Sequence, residues 1–315
     1  MNRTIAYCIL FSFLLFSPGR LISQSYNFRI YTDDDGLAQS YVYAIDQAEN
    51  GFLNISTGEG FCSFDGSKFK TFTKDDSLAE NFISTHFEDS RGITWLGHYQ
   101  NGISYRKKGV FYKLKTSLNL SSRITCFAED KNRNIWVSTQ SKGVFKIDTA
   151  FNFLNVSNSE ATNASAITID DENKILLGTN YGLFVYKEIS GRIHLDCAVE
   201  GFENKTIRNI IPVDKNRNSF WISVQGEGIF LVRKIGNCYA SILKITSELG
   251  LENYTFSSLF SDRDNDLWVG TSGEGLRKIH FQNIADKSYF TVSKITEVNG
   301  LPNKYILSVF QDREG

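Results

Sequence analysis

Residues 264–276 read DNDLWVGTSGEGL, and this stretch decides the fold because close copies of it recur along the chain. Self-similarity at a nearly fixed period is the sequence signature of a repeat architecture, so the copies matter more than any single one of them. Five more copies occur, three with the tryptophan and two without it: RGITWLGHYQNGI (91–103), NRNIWVSTQSKGV (132–144), NSFWISVQGEGI (218–229), NGFLNISTGEGF (50–61) and ENKILLGTNYGL (172–183).

One position in each copy serves as an anchor, because all four tryptophans of the 315-residue chain occupy it. Asparagine and leucine stand at this position in the two remaining copies. Six copies in one phase predict six repeated structural units. The anchors are separated by 41, 41, 40, 45 and 47 residues: Asn54, Trp95, Trp136, Leu176, Trp221 and Trp268.

Each copy has the same internal order of predicted elements. An alternating apolar stretch, such as residues 256–260, predicts a strand, and a polar turn that opens with an aspartate follows it. The anchor strand, a turn with glycine and two further strands complete the copy, and four short antiparallel strands in about 40 residues form one blade of a β-propeller. We predict an all-β propeller whose indole rings pack between neighbouring blades. The turn-opening aspartates are Asp46, Asp89, Asp130, Asp170, Asp214 and Asp262.

The two ends of the repeat region resemble parts of a further copy. Residues 28–37, FRIYTDDDGL, match residues 69–78, FKTFTKDDSL, and residues 301–315 match the start of a copy. We therefore predict a propeller over residues 26–315 with seven four-stranded blades, the last of them incomplete. In this prediction residues 301–315 begin the seventh blade, and a strand at residues 27–32 joins it and closes the ring.

The first 25 residues have the pattern of a signal peptide. Arg3 precedes an apolar run over residues 5–16, and Ser-Pro-Gly at 17–19 ends the run. The net charge of the chain is −1 and its Lys and Arg residues are scattered, so we expect no nucleic-acid partner.

The cysteines and the titratable residues predict neither crosslinks nor a cofactor. After removal of the signal peptide four cysteines remain, at long and irregular spacings that favour buried free thiols over disulfides: Cys62, Cys126, Cys197 and Cys238. The four histidines lack the spacing of a metal site. Residues 262–266 resemble the start of a calcium loop, but Leu267 and Gly273 stand where that loop needs glycine and glutamate.

Polar loop residues are the candidates for a ligand site. In a propeller, the loop after the anchor strand and the loop leading into each blade open on one face, around the central channel. Amides, carboxylates and tyrosines in these loops suit a small polar, polyhydroxylated ligand, although ordinary polar turns would have the same composition. The ligand-binding candidates are Tyr99, Gln100, Asn101, Gln140, Lys142, Asn180, Tyr181, Gln225, Glu227 and Glu274, with Glu59 and His98 on the same face.

The repeats resemble a known family. Their pattern, D-x-x-G/N-x-x-W-V-G-T-x-x-G-L preceded by G-L-x-x-N, is similar to the two-component regulator propeller repeats; Asn253 and Asn303 fit, whereas Gln39-Ser40 departs. Such repeats form the periplasmic sensors of hybrid histidine kinases of Bacteroidetes, and many of them sense oligosaccharides. The resemblance implies a periplasmic sensor. It also implies a longer parent protein with a β-sandwich, a membrane helix and a kinase, through which the sensor could dimerise and signal.

Two other classes of function remain as alternatives. Propeller lyases and hydrolases assemble active sites from residues scattered over several blades, so a secreted glycan-cleaving enzyme is one alternative. A protein-interaction platform is the other, and a continuous apolar patch on one face would favour it. The chain has no nucleophile motif, and we predict no catalytic residue and no enzyme activity for it.

Overall fold

The computed structural model describes residues 28–116, 120–156, 161–251, 253, 255–282 and 289–314. The predicted signal peptide lies outside these residues. Within them, 24 strands form six antiparallel sheets of four strands each, and every sheet consists of four consecutive strands. The first strands of neighbouring sheets contact one another in series, so they surround the centre of a propeller. No helix in the described ranges is long and apolar enough to cross a membrane.

The strands are short, as the 40-residue period requires. Blade one contains β1 (Val42–Gln47), β2 (Leu53–Thr57), β3 (Phe61–Phe64) and β4 (Phe69–Phe72); blade two contains β5 (Ile83–Glu88), β6 (Thr94–His98), β7 (Ile103–Lys107) and β8 (Val110–Lys113); blade three contains β9 (Ile124–Glu129), β10 (Ile135–Thr139), β11 (Val144–Ile147) and β12 (Phe153–Asn155). Blade four contains β13 (Ala164–Ile169), β14 (Ile175–Thr179), β15 (Leu183–Ile189) and β16 (Arg192–Ala198); blade five contains β17 (Ile207–Pro212), β18 (Ser219–Val224), β19 (Gly228–Ile235) and β20 (Cys238–Ile245); blade six contains β21 (Phe256–Ser261), β22 (Leu267–Thr271), β23 (Leu276–Phe281) and β24 (Phe290–Ile295).

In three of the four copies that contain tryptophan, the turn-opening aspartate and the tryptophan are hydrogen-bonded to each other. In blade two, one carboxylate oxygen of Asp89 accepts the backbone N–H groups of Arg91 and Ile93, which holds the turn between the first two strands. The other oxygen accepts the indole N–H of Trp95 at 2.9 Å. The same indole bond recurs from Trp136 to Asp130 at 3.0 Å and from Trp268 to Asp262 at 2.7 Å. A buried indole N–H needs such a partner, which explains the fixed spacing of the two residues.

Three of the four indole rings lie where the sequence predicts them, in the interfaces between blades. Trp95 packs against β9, β10 and β11 of blade three, and Trp136 packs against blade four. Trp221 belongs to the cluster between blades five and six and stacks on Phe281 at 5.2 Å. These three side chains are fully buried. Each indole therefore joins its own blade to the next one along the chain.

Blade one replaces the indole with a polar network. The amide of Asn54 donates to Asp46 at 2.9 Å, and Arg106 of blade two donates to the Asn54 carbonyl at 3.0 Å. His86 contacts Asp46 at 3.3 Å and the Ser56 hydroxyl at 2.7 Å. Asp46 is thus part of β1 and of an interface, and the prediction that it opens a turn is wrong. Ala48 occupies the turn-opening position of this blade.

In blade four a leucine occupies the anchor position, and side chains of blade five bind the aspartate. Leu176 packs against Phe220 and Tyr239 of blade five in one apolar cluster. The carboxylate of Asp170, which lacks an indole partner, accepts the Tyr239 hydroxyl at 3.0 Å and the Lys234 ammonium at 3.2 Å. The neighbouring blade therefore supplies the donors that a tryptophan would otherwise provide.

A disulfide joins the outer strands of blades four and five. Cys197 on β16 and Cys238 on β20 are bonded, with a Cα–Cα distance of 6.1 Å. The prediction of free thiols is therefore wrong for this pair and confirmed for Cys62 and Cys126. The pair is separated by 41 residues, which is one repeat period, so the fold itself brings the two positions side by side.

The prediction of seven blades is wrong, because the described residues form six four-stranded sheets. Residues 301–314 add no sheet. They contribute one isolated bridge, between Ser272 and Tyr305, and a single extended segment cannot form a blade by itself. This segment bonds to blade six through Ile306 and to the first turn of blade one through Arg313, whose backbone N–H donates to Gln47 at 2.9 Å.

The prediction of a closing strand at the amino-terminal end is also wrong. Residues 28–32 form no strand, and Tyr31 packs edge-on against Phe64 and Phe69 of blade one. The sequence match between residues 28–37 and 69–78 nevertheless has a structural basis. Both end in a 3₁₀ turn with a Thr–Asp capping box, at Asp33–Asp35 and at Lys74–Asp76.

The lack of a seventh sheet leaves Trp268 only half-buried. Its ring lines a groove of about 480 Å³ between blade six and blade one. Ile45 and Leu53 form one wall of the groove, and Phe260 and Phe310 form part of the other. Trp268 has the same indole–aspartate bond as Trp95 and Trp136 but lacks their complete apolar cover.

Candidate functional site

Strand direction alternates within each blade, so consecutive connections lie on opposite faces of the ring. The loops between second and third strands lie on the same face as the connections between blades, and we call this the channel face. The turns between first and second strands lie on the other face, which we call the turn face. The channel-face loops are residues 58–60, 99–102, 140–143, 180–182, 225–227 and 272–275.

One register recurs in the channel-face loops. The backbone N–H of the first loop residue donates a hydrogen bond to a backbone carbonyl of the same blade. That carbonyl belongs to the residue immediately before the first strand. Four predicted ligand residues occupy this register: Tyr99 bonds to Phe82, Gln140 to Arg123, Asn180 to Asn163 and Gln225 to Thr206, at 3.2, 2.9, 3.3 and 2.9 Å. The repeat therefore places these side chains at equivalent points around the ring, and all four are exposed.

An aromatic ladder lies on the side of blades one and two. Tyr43 on β1 contacts Phe82 at 4.9 Å, and Phe82 stacks on Tyr99 at 4.8 Å with an interplanar angle of 21°. Tyr99 keeps 40% of its surface exposed above the stack. A rigid, half-exposed ring of this kind can cover the apolar face of a ligand while its hydroxyl makes hydrogen bonds.

Two arginines lie on the side of blades three and five. Arg123 directly precedes β9 and Arg208 is the second residue of β17, so both start from innermost strands at the channel face. Arg208 donates to the Gln225 side-chain carbonyl at 2.7 Å. Burial, and then the positive charge of Arg123, lower the pKa of Arg208 below its ordinary value. The two guanidinium groups are thus close enough to repel each other.

Five of the remaining predicted residues make local turn contacts. The backbone N–H groups of Gln100 and Asn101 donate to Glu80 at 2.9 and 3.2 Å, which ties this loop to the connection from blade one. The backbone N–H groups of Lys142, Tyr181 and Glu274 each donate to the threonine hydroxyl that ends the preceding strand, at 2.9 to 3.0 Å. The side chains of Gln100 and Asn101 line a cavity of about 370 Å³.

Two of the three predicted carboxylates of the channel face, Glu227 and Glu274, already have partners within the protein. Glu227 accepts the ammonium groups of Lys205 and Lys244 at 2.8 and 3.2 Å. Burial by itself raises the pKa of Glu227, but these lysines outweigh it and hold the pKa below its ordinary value. The Glu274 carboxylate accepts the backbone N–H of Asn253 at 2.8 Å. Their first role is to hold the loops in place.

His98 does not belong to the exposed surface, although the sequence places it there. Its side chain is completely buried, and its Nε2 atom lies 2.9 Å from the Ser104 hydroxyl. Burial lowers the pKa of His98 to about 4, so the ring is neutral at physiological pH. Glu59 is exposed as expected.

The structure adds four residues that the sequence reasoning missed: Tyr43, Phe82, Arg123 and Arg208. Tyr43 and Arg208 occupy a position of the first strand where four other blades have serine or threonine. Three of those hydroxyls bond to the next blade, as Ser84 does to the Ile124 carbonyl at 2.7 Å, and the fourth bonds to Ile306 in the segment after blade six. The departure from a small hydroxyl to a long or aromatic side chain was visible in the sequence and could have marked both residues.

The turn face has a cavity of about 610 Å³. It is lined by the turns of blades three to five and by residues of blade two, and it contains both charge signs. Two of the four cations that line it are engaged: Lys131 bonds to the Asp171 carbonyl, and Arg217 donates to the Ile169 carbonyl at 3.2 Å. This cavity offers fewer free donors than its charge suggests.

A Ser–His–Asp arrangement occurs between blades one and two, in the polar network described above. Ser56, His86 and Asp46 have the contacts of a hydrolase triad, but Ser56 is completely buried between the sheets. A substrate cannot reach its hydroxyl, so the arrangement serves the interface. The described residues contain no cluster of three or more His, Cys, Asp or Glu side chains that could hold a metal ion.

Two stretches of this propeller match a known sequence family. The sequence model of the two-component regulator propeller matches residues 119–141 and 250–273, which contain the anchors of blades three and six. These two stretches match two-component regulator propeller repeats. No curated protein sequence matches the chain.

Solved structures show the same fold. The propeller described above is similar to the extracellular domains of two putative hybrid two-component systems of B. thetaiotaomicron, with TM-scores of 0.71 and 0.68 and identities of 24% and 17%. These alignments cover 87% and 93% of this chain but only 37% and 38% of those structures. Virginiamycin B lyase of Staphylococcus aureus is similar at a TM-score of 0.62 and 16% identity, over 81% of this chain and 84% of the lyase.

Proposed function

We propose that this chain is the periplasmic ligand-sensing propeller of a two-component signalling protein, and that it binds a small polar ligand such as an oligosaccharide on its channel face. The repeats and the fold of the two hybrid two-component sensors support the signalling role. The single observation that carries the binding site is the exposed ring of Tyr99, stacked on Phe82 beside a circle of amides.

The aromatic and amide chemistry suits sugars. Three further tyrosines on this face are more than half exposed: Tyr41 at 63%, Tyr181 at 57% and Tyr305 at 57%. Exposed rings cover the apolar faces of sugar rings, while Gln140 and Asn180 can donate to and accept from hydroxyls at once. The residues lie on loops held by a rigid scaffold, where binding function is concentrated.

The proposed mechanism has no covalent step. A ligand that bridges the loops of several blades would change how the ring packs against further domains of a longer parent protein. Binding would then shift an equilibrium between two signalling states by its differential affinity for them. The signalling partners are the domains of that parent, through which the sensor would also dimerise.

An enzymatic function has fold similarity to the lyase in its favour. That similarity extends to the fold alone, and the seryl hydroxyl of the Ser–His–Asp arrangement is buried. We therefore keep the binding function as the proposal.

The test is ligand binding by the full chain and by two matched tyrosine variants. A broad panel of oligosaccharides is screened by thermal shift, because a ligand that binds only the folded state raises the melting temperature. For a positive oligosaccharide, Tyr99→Ala should weaken binding about tenfold or more in calorimetry, as central aromatic anchors do.

Tyr112→Ala is the control. Tyr112 is 44% exposed and stacks on Tyr105 at an angle of 21°, which nearly matches Tyr99, but it lies on outer strand β8. Equal loss of affinity in both variants, or no response to any oligosaccharide, would contradict the proposal.

A further inference from the structure

The channel face contains a cationic group without a counter-charge. The Nε atom of Arg123 is buried and has no hydrogen-bond partner among the described residues. Within the same residues, neither Arg123 nor Arg208 has a carboxylate within salt-bridge distance, and Arg208 is bonded only to the neutral amide of Gln225. A buried, unpaired donor on a charged group is costly, so its presence calls for an explanation, and a bound anion is one that also fits its charge.

Local acids do not relieve this charge. Glu227 and Glu274 are already bound by lysines and by a backbone N–H, and Glu80 by two backbone N–H groups. The charge of Arg123 also lowers the pKa of Arg208, which places the two like charges in one electrostatic environment. An anion between them would remove the repulsion and give Arg123 the acceptor that it lacks.

We propose that Arg123 and Arg208 receive the carboxylate of an acidic sugar, so that the ligand of this propeller is a uronic-acid oligosaccharide rather than a neutral one. This inference rests on the proposed function and narrows its ligand class. The aromatic ladder of Tyr43, Phe82 and Tyr99 lies on the other side of the same face, across the ring from Arg208. One oligomer can therefore place a sugar ring on Tyr99 and a carboxylate at the arginines.

The experiment compares an acid with its neutral counterpart. Tetragalacturonate and its methyl-esterified form have the same length and linkage, and binding of each to the full chain is measured by isothermal titration calorimetry. We expect the ester to bind about tenfold or more weakly, which is the usual effect of losing charge-assisted hydrogen bonds. Added salt should weaken binding of the acid more than binding of the ester.

Variants test the two residues directly. Arg208→Gln and Arg123→Gln should each lose about tenfold in affinity for tetragalacturonate while keeping their affinity for the ester. Arg192→Gln is the control, because it removes the same charge from the exposed outer strand β16 and should bind like the wild type.

Three results would overturn the inference. Equal binding of acid and ester by the wild type, unchanged affinity in both arginine variants, or no binding of the acid would each do so. Inorganic sulfate that competes as well as the oligomer would show a site for free anions instead of a sugar acid. If neutral oligosaccharides bind in a Tyr99-dependent way while the acid does not, the inference fails and the proposed function stands.

Discussion

The interface after blade three and the interface after blade one occupy the same place in the repeat. The first is filled by an aromatic ring, whereas the second is filled by polar side chains. Trp136 fills the first with a buried ring whose N–H is bound by Asp130. Asn54 stands at the same position in the second, within a network that includes Asp46, His86 and Arg106. The backbone topology is identical in both blades. The sheet pattern therefore sets the fold, whereas the anchor residue sets only how strongly neighbouring blades are held.

The largest expected difference between the two interfaces is in the cost of removing the anchor. Trp136→Ala should lower the free energy of unfolding by about 3–5 kcal/mol, because it leaves a large cavity and removes one of the two donors to a buried carboxylate oxygen of Asp130. Asn54→Ala should cost about 1–3 kcal/mol, the usual penalty for buried polar groups that lose a partner. Urea unfolding of both variants measures this, and equal costs would break the comparison.

The sequence predicts the apolar interface well and the polar one poorly. Four tryptophans at a regular spacing reveal the blades, their strand order and the face on which each loop lies. The network around Asn54 joins residues from two blades, and no spacing within one copy indicates that Arg106 would reach it. Loop residues such as Tyr99 and Gln225 follow from the topology, whereas Arg123 and Arg208 require knowing which side chains of different blades meet.

The number of blades is a second property that the sequence predicts only in part. Six anchors correctly predict six sheets, and the error came from adding partial matches at both ends. Residues 301–314 have the sequence of a first strand but bond to blades six and one without forming a sheet. Sequence similarity can identify a segment of a repeat, but pairing needs partner strands.

The next largest effect concerns the interface between blades four and five, which has Leu176 and a disulfide instead of an indole. Replacing Cys197 and Cys238 by serine should lower the free energy of unfolding by about 2–4 kcal/mol, since the crosslink restricts a long loop of the unfolded chain. Urea unfolding with and without a thiol reductant measures it. The reductant should destabilise the wild type and leave the double variant unchanged; a wild type insensitive to complete reduction would show that this interface does not need its crosslink.

A further effect depends on pH and sharpens the contrast between polar and apolar blades. His98 is buried in blade two beside Ser104, whose hydroxyl accepts the backbone N–H of Ala79 in the connection from blade one. Burial lowers the pKa of His98 to about 4 from 6.5, so the unfolded chain binds a proton that the folded chain does not. The contribution of neutral His98 to the free energy of unfolding is therefore fully present above pH 6.5. It falls by about 3 kcal/mol as the pH drops from 6.5 toward 4.

Urea midpoints at a series of pH values measure this slope, and His98→Gln should flatten it. His194→Gln is the matched control, because His194 is exposed on β16 and its loss should leave the slope unchanged. A wild-type slope that survives in His98→Gln would show that another group controls acid stability.

The central claim is that ligands bind at the channel face of a ring whose blades are held together independently of it. Hydrogen–deuterium exchange of the full chain, with and without saturating tetragalacturonate, tests this most directly. We predict slower exchange in the loops at residues 99–102, 140–143 and 225–227, with the turns at 130–134 and 170–174 unchanged. Protection confined to those turns, which line the cavity on the opposite face, would contradict the account.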